Sequence, residues 1–490
     1  MRCGGVLMHI SSLPSNYGIG TLGKDAYEFV DFLKKAGQTY WQTLPICPTG
    51  FGDSPYQSFS SFAGNPYFID LDLLIEDGLL EESDCENIRW GTYETSVDYG
   101  TIYKNRFNVL RKAFSKFMES IPDDFQKFCQ EEEYWLHDYA LFMAIKNKTQ
   151  KTWVDWDKGL KTKDKASLEQ FENLNNDDVM FYKVMQYLFY KQWFALKSYA
   201  NENKIKIIGD LPIYVASDSA DIWSNPELFM VDENFEPTHV AGCPPDGFSR
   251  SGQLWGNPLY NWERMKQDNY DWWVKRIKHV SKIYDVTRID HFRGFDSYYS
   301  IEASAKSAIG GEWKRGPGVE LFNCAEKELG KLNIIAEDLG FLTPSVYKLL
   351  EETGFPGMKV LQFAFDARED SDYLPHNYPK FSVVYTGTHD NDTIIGWMKN
   401  ANKQDVAYAM EYMRLSEQEG YSWGMMKVAW ASVSDIAIVT IQDLLGLGNS
   451  ARMNRPSTTG TNWKWRASKG SYNDDLAKKV YKYMKIYKRI

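Results

Sequence analysis

Eight short apolar, β-branched runs punctuate the chain, and helical periodicity fills many of the intervals between them. The runs are 5–10 (GVLMHI), 39–47 (TYWQTLPIC), 205–215 (IKIIGDLPIYV), 286–295 (VTRIDHFRGF), 333–339 (NIIAEDL), 359–365 (KVLQFAF), 382–389 (SVVYTGTH) and 435–442 (DIAIVTIQ). Their hydrophobicity is nearly continuous rather than alternating, as in parallel strands covered on both faces. Helical stretches at 24–36 and 344–353 lie between them. Eight such strands predict an α/β fold, a (β/α)8 TIM barrel, over an open doubly wound sheet.

Two intervals are too long for simple connections. The first, about 70–204, is strongly helical: Tyr103, Phe107, Leu110, Phe114 and Phe117 recur at helical spacing, and 178–202 reads as a long helix. The second, about 216–285, is rich in Pro, Gly and Trp. Long segments that follow barrel strands gather on the face where active sites are built. Both therefore read as inserted subdomains, one helical and one loop-rich, flanking that face. With no internal repeat or low-complexity linker, residues 1–490 read as one elaborated barrel domain.

Composition narrows the partners. Aromatics make up 15% of the chain, with 17 Trp and 31 Tyr, which suits partly wet recognition surfaces unless the core is simply aromatic. A net charge of −10 argues against nucleic acid and anionic membrane surfaces. The six cysteines are scattered, without CxxC pairs or clustered histidines, so neither a zinc site nor a disulfide framework is expected. The opening MRCGGVLMHISSLP lacks the apolar core of a secretory signal, and no apolar run approaches the ~20 residues of a membrane span. The expectation is a soluble, cytoplasmic protein.

Three strand ends carry candidate chemistry. In Arg288-Ile289-Asp290-His291-Phe292-Arg293, alternation puts Arg288 and Asp290 on one face. Coulomb attraction to the arginine is expected to keep Asp290 ionised, as a glycosidase nucleophile must be. A purely structural ion pair is the alternative. Glu337 follows the apolar Ile334-Ile335-Ala336, and apolar walls would raise its pKa towards that of a general acid; Asp338 should point the other way. Both acids could instead merely cap the next helix. Thr388-His389-Asp390-Asn391-Asp392 follows a third strand, where adjacent His and Asp can clamp vicinal hydroxyls. Asp390 and Asp392 could also hold a hard metal, but no EF-hand spacing surrounds them.

Other features bear on binding. Gly18-Ile19-Gly20-Thr21-Leu22-Gly23 matches a dinucleotide fingerprint, yet seven residues separate it from its strand and the next strand ends without an acid. It reads as a rim loop. The stretches 54–62 (SPYQSFSSF) and 242–260 combine rings with small polar groups, as sugar-binding loops or packing lids do.

Taken together, SPYQSFS, FAGNPYFIDL, GDLPIYV, GQLWGNPLYNW, RIDHFRGF, IIAEDLG and YTGTHDNDT resemble glycoside hydrolase family 77, the 4-α-glucanotransferases (amylomaltases, or disproportionating enzymes), over nearly the whole chain. The resemblance implies a (β/α)8 barrel with inserted subdomains and no C-terminal β-sandwich. It implies a retaining transfer of 1,4-α-D-glucan segments to the 4-hydroxyl of another glucan or glucose, without metal or organic cofactor. The alternatives are a glucan hydrolase of the same mechanism and a glucan-binding protein without turnover. Asp290 would be nucleophile, Glu337 general acid/base and Asp390 transition-state stabiliser. Arg288 would hold Asp290, with His291 and His389 on sugar hydroxyls. Tyr56, Asp210, Asp246, Phe248, Gln253, Trp255 and Asn391 would join them in binding maltooligosaccharides. Two positions depart from the family pattern: Gly247 stands where some members have Tyr, and Asn454-Arg455-Pro456-Ser457 stands where many members read Asn-x-Pro-Gly.

Overall fold

The computed structural model describes residues 2–245, 249–340, 342–368 and 370–490. All eight apolar runs supply strands of one closed parallel barrel: β1 (Cys3–Leu7), β2 (Tyr40–Gln42), β3 (Lys206–Leu211), β4 (Val286–Ile289), β5 (Ile334–Ala336), β6 (Gly357–Val360), β7 (Ser382–Tyr385) and β8 (Ile436–Thr440). They follow one another round the barrel in chain order, and β8 closes on β1. The strands are shorter than the apolar runs. Beyond them the chain tightens into short 3-10 turns at Phe292–Phe295 and Leu361–Phe363, whose apolar residues pack the barrel rim instead of extending the ladder.

Between β2 and β3 lie three major helices, Tyr99–Glu119, Glu133–Thr149 and Lys165–Glu202. The last is longer than the expected 178–202 and breaks at Asn175 (φ −133°, ψ 28°), close to the expected start. The first buries a face rotated from the expected one. Tyr99, Ile102, Arg106, Val109 and Ala113 line it with Leu110, Phe114 and Phe117, whereas Tyr103 is 60% exposed. Arg106 belongs to the buried face because its guanidinium donates to the Ile69 carbonyl and lies over the Trp90 ring.

The stretch 216–285 is less loop-like than its Pro and Gly content implies. Strands His239–Cys243 and Gln253–Pro258 form an antiparallel sheet with Ser297–Glu302 and Glu312–Arg315, which come from the connection after β4. Asp271–Ile283 is the barrel helix leading into β4, burying Trp272, Trp273, Ile277 and Val280.

The glycine fingerprint near the N-terminus serves packing. Ile19 and Leu22 are fully buried, and Asp70 packs directly against Gly23 while accepting from Thr21 Oγ1 at 2.5 Å. An acidic side chain thus occupies the head of helix Lys24–Lys35, where a dinucleotide phosphate would have to sit.

The long helix also anchors the loop carrying Tyr56. Gln186, fully buried, accepts from Gly64 N at 2.7 Å and donates to Gly64 O at 2.9 Å. Replacing Gln186 by Leu leaves a buried N–H and C=O unpaired, and the expected loss is on the order of 3 kcal/mol in urea unfolding. A loss below about 0.5 kcal/mol, the scale of an ordinary surface substitution, would show that this clamp does not hold the loop.

Candidate active site

Strand register brings the site together. Asp210 on β3 pairs with Arg288 on β4, and Ile289 pairs with Ala336 on β5. The ladder continues one residue further, with Asp290 N donating to Leu211 O and Glu337 N to Ile289 O, both at 3.0 Å. Asp290 and Glu337 therefore leave adjacent strands at the same level, at the C-terminal mouth of the barrel.

One guanidinium organises this mouth. Arg288 donates to both oxygens of Asp210 (2.7 and 2.6 Å) and to Asp290 Oδ1 (2.9 Å). The Asp210 side chain is fully buried and Arg288 nearly so, while that of Asp290 keeps 29% of its surface open. Burial favours a neutral arginine, but Asp210 and Asp290 outweigh it and hold Arg288 firmly cationic. Arg288 favours the Asp290 anion in the expected direction, but it does not act on Asp290 alone. Its single charge is divided between two carboxylates. Burial pushes the Asp290 carboxyl well above the usual range; Arg288 opposes this, and Asp210, Glu337 and Asp390 reinforce it.

Glu337 is also raised, chiefly by burial, in the direction its apolar surroundings predict. Arg288 pulls against that shift, as do two backbone donors, His291 N at 2.7 Å and Leu339 N at 3.1 Å. The first exists because His291 adopts a left-handed conformation (φ 51°, ψ 48°), which turns its N–H towards the neighbouring strand. Asp338 points the other way, accepting from Met358 N at 2.6 Å. Burial lowers His291 to about 3, so its ring is neutral at pH 7, and it packs edge-on to Trp255 with centroids 4.9 Å apart. The Trp255 indole donates to Gln253 Oε1 at 3.2 Å.

The third group is held from the far end of the chain. Asp390 Oδ1 accepts from Asn454 Nδ2 at 2.6 Å, and its backbone carbonyl accepts from Arg452 at 2.5 Å. Asn454 N also donates to His389 O at 3.1 Å. His389, with its basicity lowered by burial, stacks on Tyr56 at 5.0 Å and tilts against Trp463 at 5.8 Å. The Tyr56 hydroxyl in turn donates to Asp210 Oδ2 at 2.7 Å.

Tyr56, Asp210, Arg288, Asp290, His291, Glu337, His389 and Asp390 thus form one connected group, joined through His291 to Trp255 and Gln253. Asn391 differs, because its side-chain oxygen turns back to accept from Thr388 N and Oγ1. Asp246 and Phe248, with Gly247, lie outside the described residues. The Asp392 carboxylate is spent on Thr393 N, Asn400 and Asn449, and among the described residues no cluster of three His, Cys, Asp or Glu is arranged to hold a metal. Sequence reasoning missed Arg452, Asn454 and Trp463. Asn454 was visible only as the start of the departing Asn-Arg-Pro-Ser motif.

Acids at the C-terminal mouth of a parallel barrel, a buried arginine between them and aromatic plates around them define a barrel enzyme that works on glycosidic bonds. Residues 8–471 match the family profile of glycoside hydrolase 77, 4-alpha-glucanotransferase. The 4-alpha-glucanotransferase of Clostridium butyricum is 50% identical over 485 residues, covering 98% of this chain and all of the relative. That of Streptococcus pneumoniae is 50% identical over 494 residues, covering 100% of this chain and 98% of the relative. The structure of the Streptococcus agalactiae amylomaltase in complex with acarbose superposes with a TM-score of 0.97 at 44% identity, with 100% of both chains covered. The chain belongs to the glycoside hydrolase 77 family of 4-alpha-glucanotransferases.

Because Asp210 competes with Asp290 for Arg288, its charge is one of the causes that raise Asp290. Asp210→Asn removes that charge, so the Asp290 carboxyl is expected to titrate at lower pH than in the wild type. Carboxyl-carbon NMR with labelled aspartate reads this directly. An unchanged or higher titration point would disprove the shared-cation account.

Proposed function

We propose that this chain cuts an α-1,4-glucan and passes the released segment to the 4-hydroxyl of a second glucan or of glucose, by double displacement with Asp290 as nucleophile and Glu337 as acid and base. The observation that carries the assignment is the juxtaposition on β4 and β5, where Asp290 rather than Glu337 accepts a hydrogen bond from Arg288. A charge-assisted contact favours the anion more than neutral backbone donors do. In the proposed mechanism Glu337 therefore carries the proton and Asp290 is the anion.

In the first step an Asp290 oxygen attacks the anomeric carbon. The glycosidic C–O bond breaks, and the Glu337 proton passes to the leaving oxygen. This gives a covalent β-glucosyl ester and frees the reducing-end fragment. Glu337, now a carboxylate, takes the proton of the incoming 4-hydroxyl as that oxygen displaces Asp290, restoring an α-1,4 bond. Asp390, fixed by Asn454 and Arg452, accepts from sugar hydroxyls as the ring flattens. The neutral His291 and His389 supply hydrogen bonds without charge, and Tyr56 and Trp255 supply plates. Asn391 shapes the turn below Asp390. Acid–base and covalent chemistry of this kind needs no metal or organic cofactor. No helix among the described residues is long and apolar enough to cross a membrane. With glucan substrates, and with scattered cysteines that suggest no disulfide framework in the sequence, we place the enzyme in the cytoplasm.

Purified protein given maltotriose should yield glucose together with a ladder of longer maltodextrins. Shorter products alone would mean hydrolysis, and no change would mean binding without turnover. Asp290→Asn should lower turnover by roughly 10,000-fold or more while retaining glucan binding. Asn454→Ala should lower kcat by about 100-fold with little change in KM, because it loosens Asp390 without removing it. An unaltered kcat would remove Asn454 from the machinery.

A further inference from the structure

The loop that gives Tyr56 to the cleft also helps wall a separate cavity. Ser60 and Phe62 line this space of about 260 Å³ together with helix Glu133–Thr149, residues 220–228 and the head of helix Asp271–Ile283. None of the catalytic carboxylates lines it. One wall is aromatic. The Phe62 ring stands edge-on to Tyr134 (5.7 Å, 88°) and Trp272 (6.2 Å, 88°) and stacks on Trp135 (6.3 Å, 18°). Tyr134 is 46% exposed, while the rings behind it are buried.

The rest of the lining is polar, and its charges are largely spent. Arg264 bonds Asp268 at 2.9 Å, Lys275 bonds Asp271 at 2.7 Å, and Asp138 bonds Lys163 at 2.8 Å. Both cationic side chains of the lining are already paired with carboxylates, so an anionic ligand gains little there. A metal ion is not served either, because among the described residues no three acids or histidines converge. What remains is hydrogen-bonding capacity beside apolar rings. Asp221 is buried with one oxygen on Ser61 N at 2.8 Å, and Glu227 and Asn225 lie at the edge. A neutral ligand with many hydroxyls and an apolar face matches this lining: each hydroxyl finds a donor or acceptor and the CH face meets a ring. The volume lies just under the roughly 300–1,000 Å³ of small-molecule sites, which suits a mono- or disaccharide unit.

We infer that this cavity is an accessory sugar site, holding a glucosyl unit of the α-glucan away from the catalytic cleft. The identity of that sugar rests on the proposed transferase reading. A chain held at both places is presented to the cleft at raised effective concentration. Long glucans gain from this, and donors too short to reach both places do not.

Calorimetric titration of the Asp290→Asn chain with maltotriose tests the site without turnover. Tyr134→Ala in that background removes the exposed ring, and Glu227→Ala with Arg264→Ala alters only the rim, in case loss of Tyr134 disturbs its helix. The expected result is one fewer maltotriose per chain in either variant, with the remaining binding unchanged. In the otherwise wild-type chain, either change should raise KM for amylose about threefold and leave maltotriose kinetics alone. Equal stoichiometry and affinity in all variants would overturn the inference. If the wild type fails to disproportionate maltotriose, the transferase reading falls instead, and the titration still reports on the cavity.

Discussion

A single guanidinium has to satisfy two carboxylates in the barrel mouth, and much of the site follows from that shortage. Arg288 is buried between Asp210 and Asp290 with its two terminal nitrogens bonded to them. A buried ion pair earns little net stability once desolvation is counted, yet removing one partner costs on the order of 3–5 kcal/mol. The triad is therefore held in place more by the penalty of breaking it than by the reward of making it. Leaving Asp290 only part of one positive charge gives its anion less support than an undivided ion pair would. In the proposed double displacement, a nucleophile that must form an ester and later leave it should be stabilised as an anion only that far.

Around this centre, unrelated parts of the chain converge on one loop. Residues 54–64 are pinned by Gln186 from the long helix, by Asp221 after β3 through Ser61 N, and by Asn257 from the antiparallel sheet through Gln57. These anchors set the angle at which Tyr56 meets Asp210 and His389. A stiff plate costs little entropy when a sugar lands on it, and water is displaced from the same surface. Choosing a sugar over water as acceptor depends on that kind of preorganisation more than on the carboxylates themselves.

The barrel was legible because parallel strands buried on both faces write themselves as unbroken apolar runs, and the carboxylates because each follows such a run directly. Other parts carry no such mark. The strands HVAGC and QLWGNP contain Gly and Pro and leave Leu254 exposed, so their pairing appears only when the connection after β4 folds back beside them. The face of helix Tyr99–Glu119 was misjudged because Arg106 looks like a surface residue until its partners, Ile69 O and Trp90, are in view. Sharing of Arg288 with Asp210 could not be read either, since the two lie 78 positions apart. Spacing finds partners along a strand. It does not find those across a ladder.

The grip of Asn454 and Arg452 on Asp390, with Trp463 behind His389, has a meaning in time as well as in space. During synthesis both working acids emerge long before residues 452–463 do. Until then, Asp390 lacks its side-chain anchor and its carbonyl clamp, and the ring stack on Tyr56 lacks its outer member. A ribosome-bound or prematurely ended chain can thus hold Asp290 and Glu337 without a competent third carboxylate. In chain order, the third carboxylate is therefore the last part of the site to receive its supports.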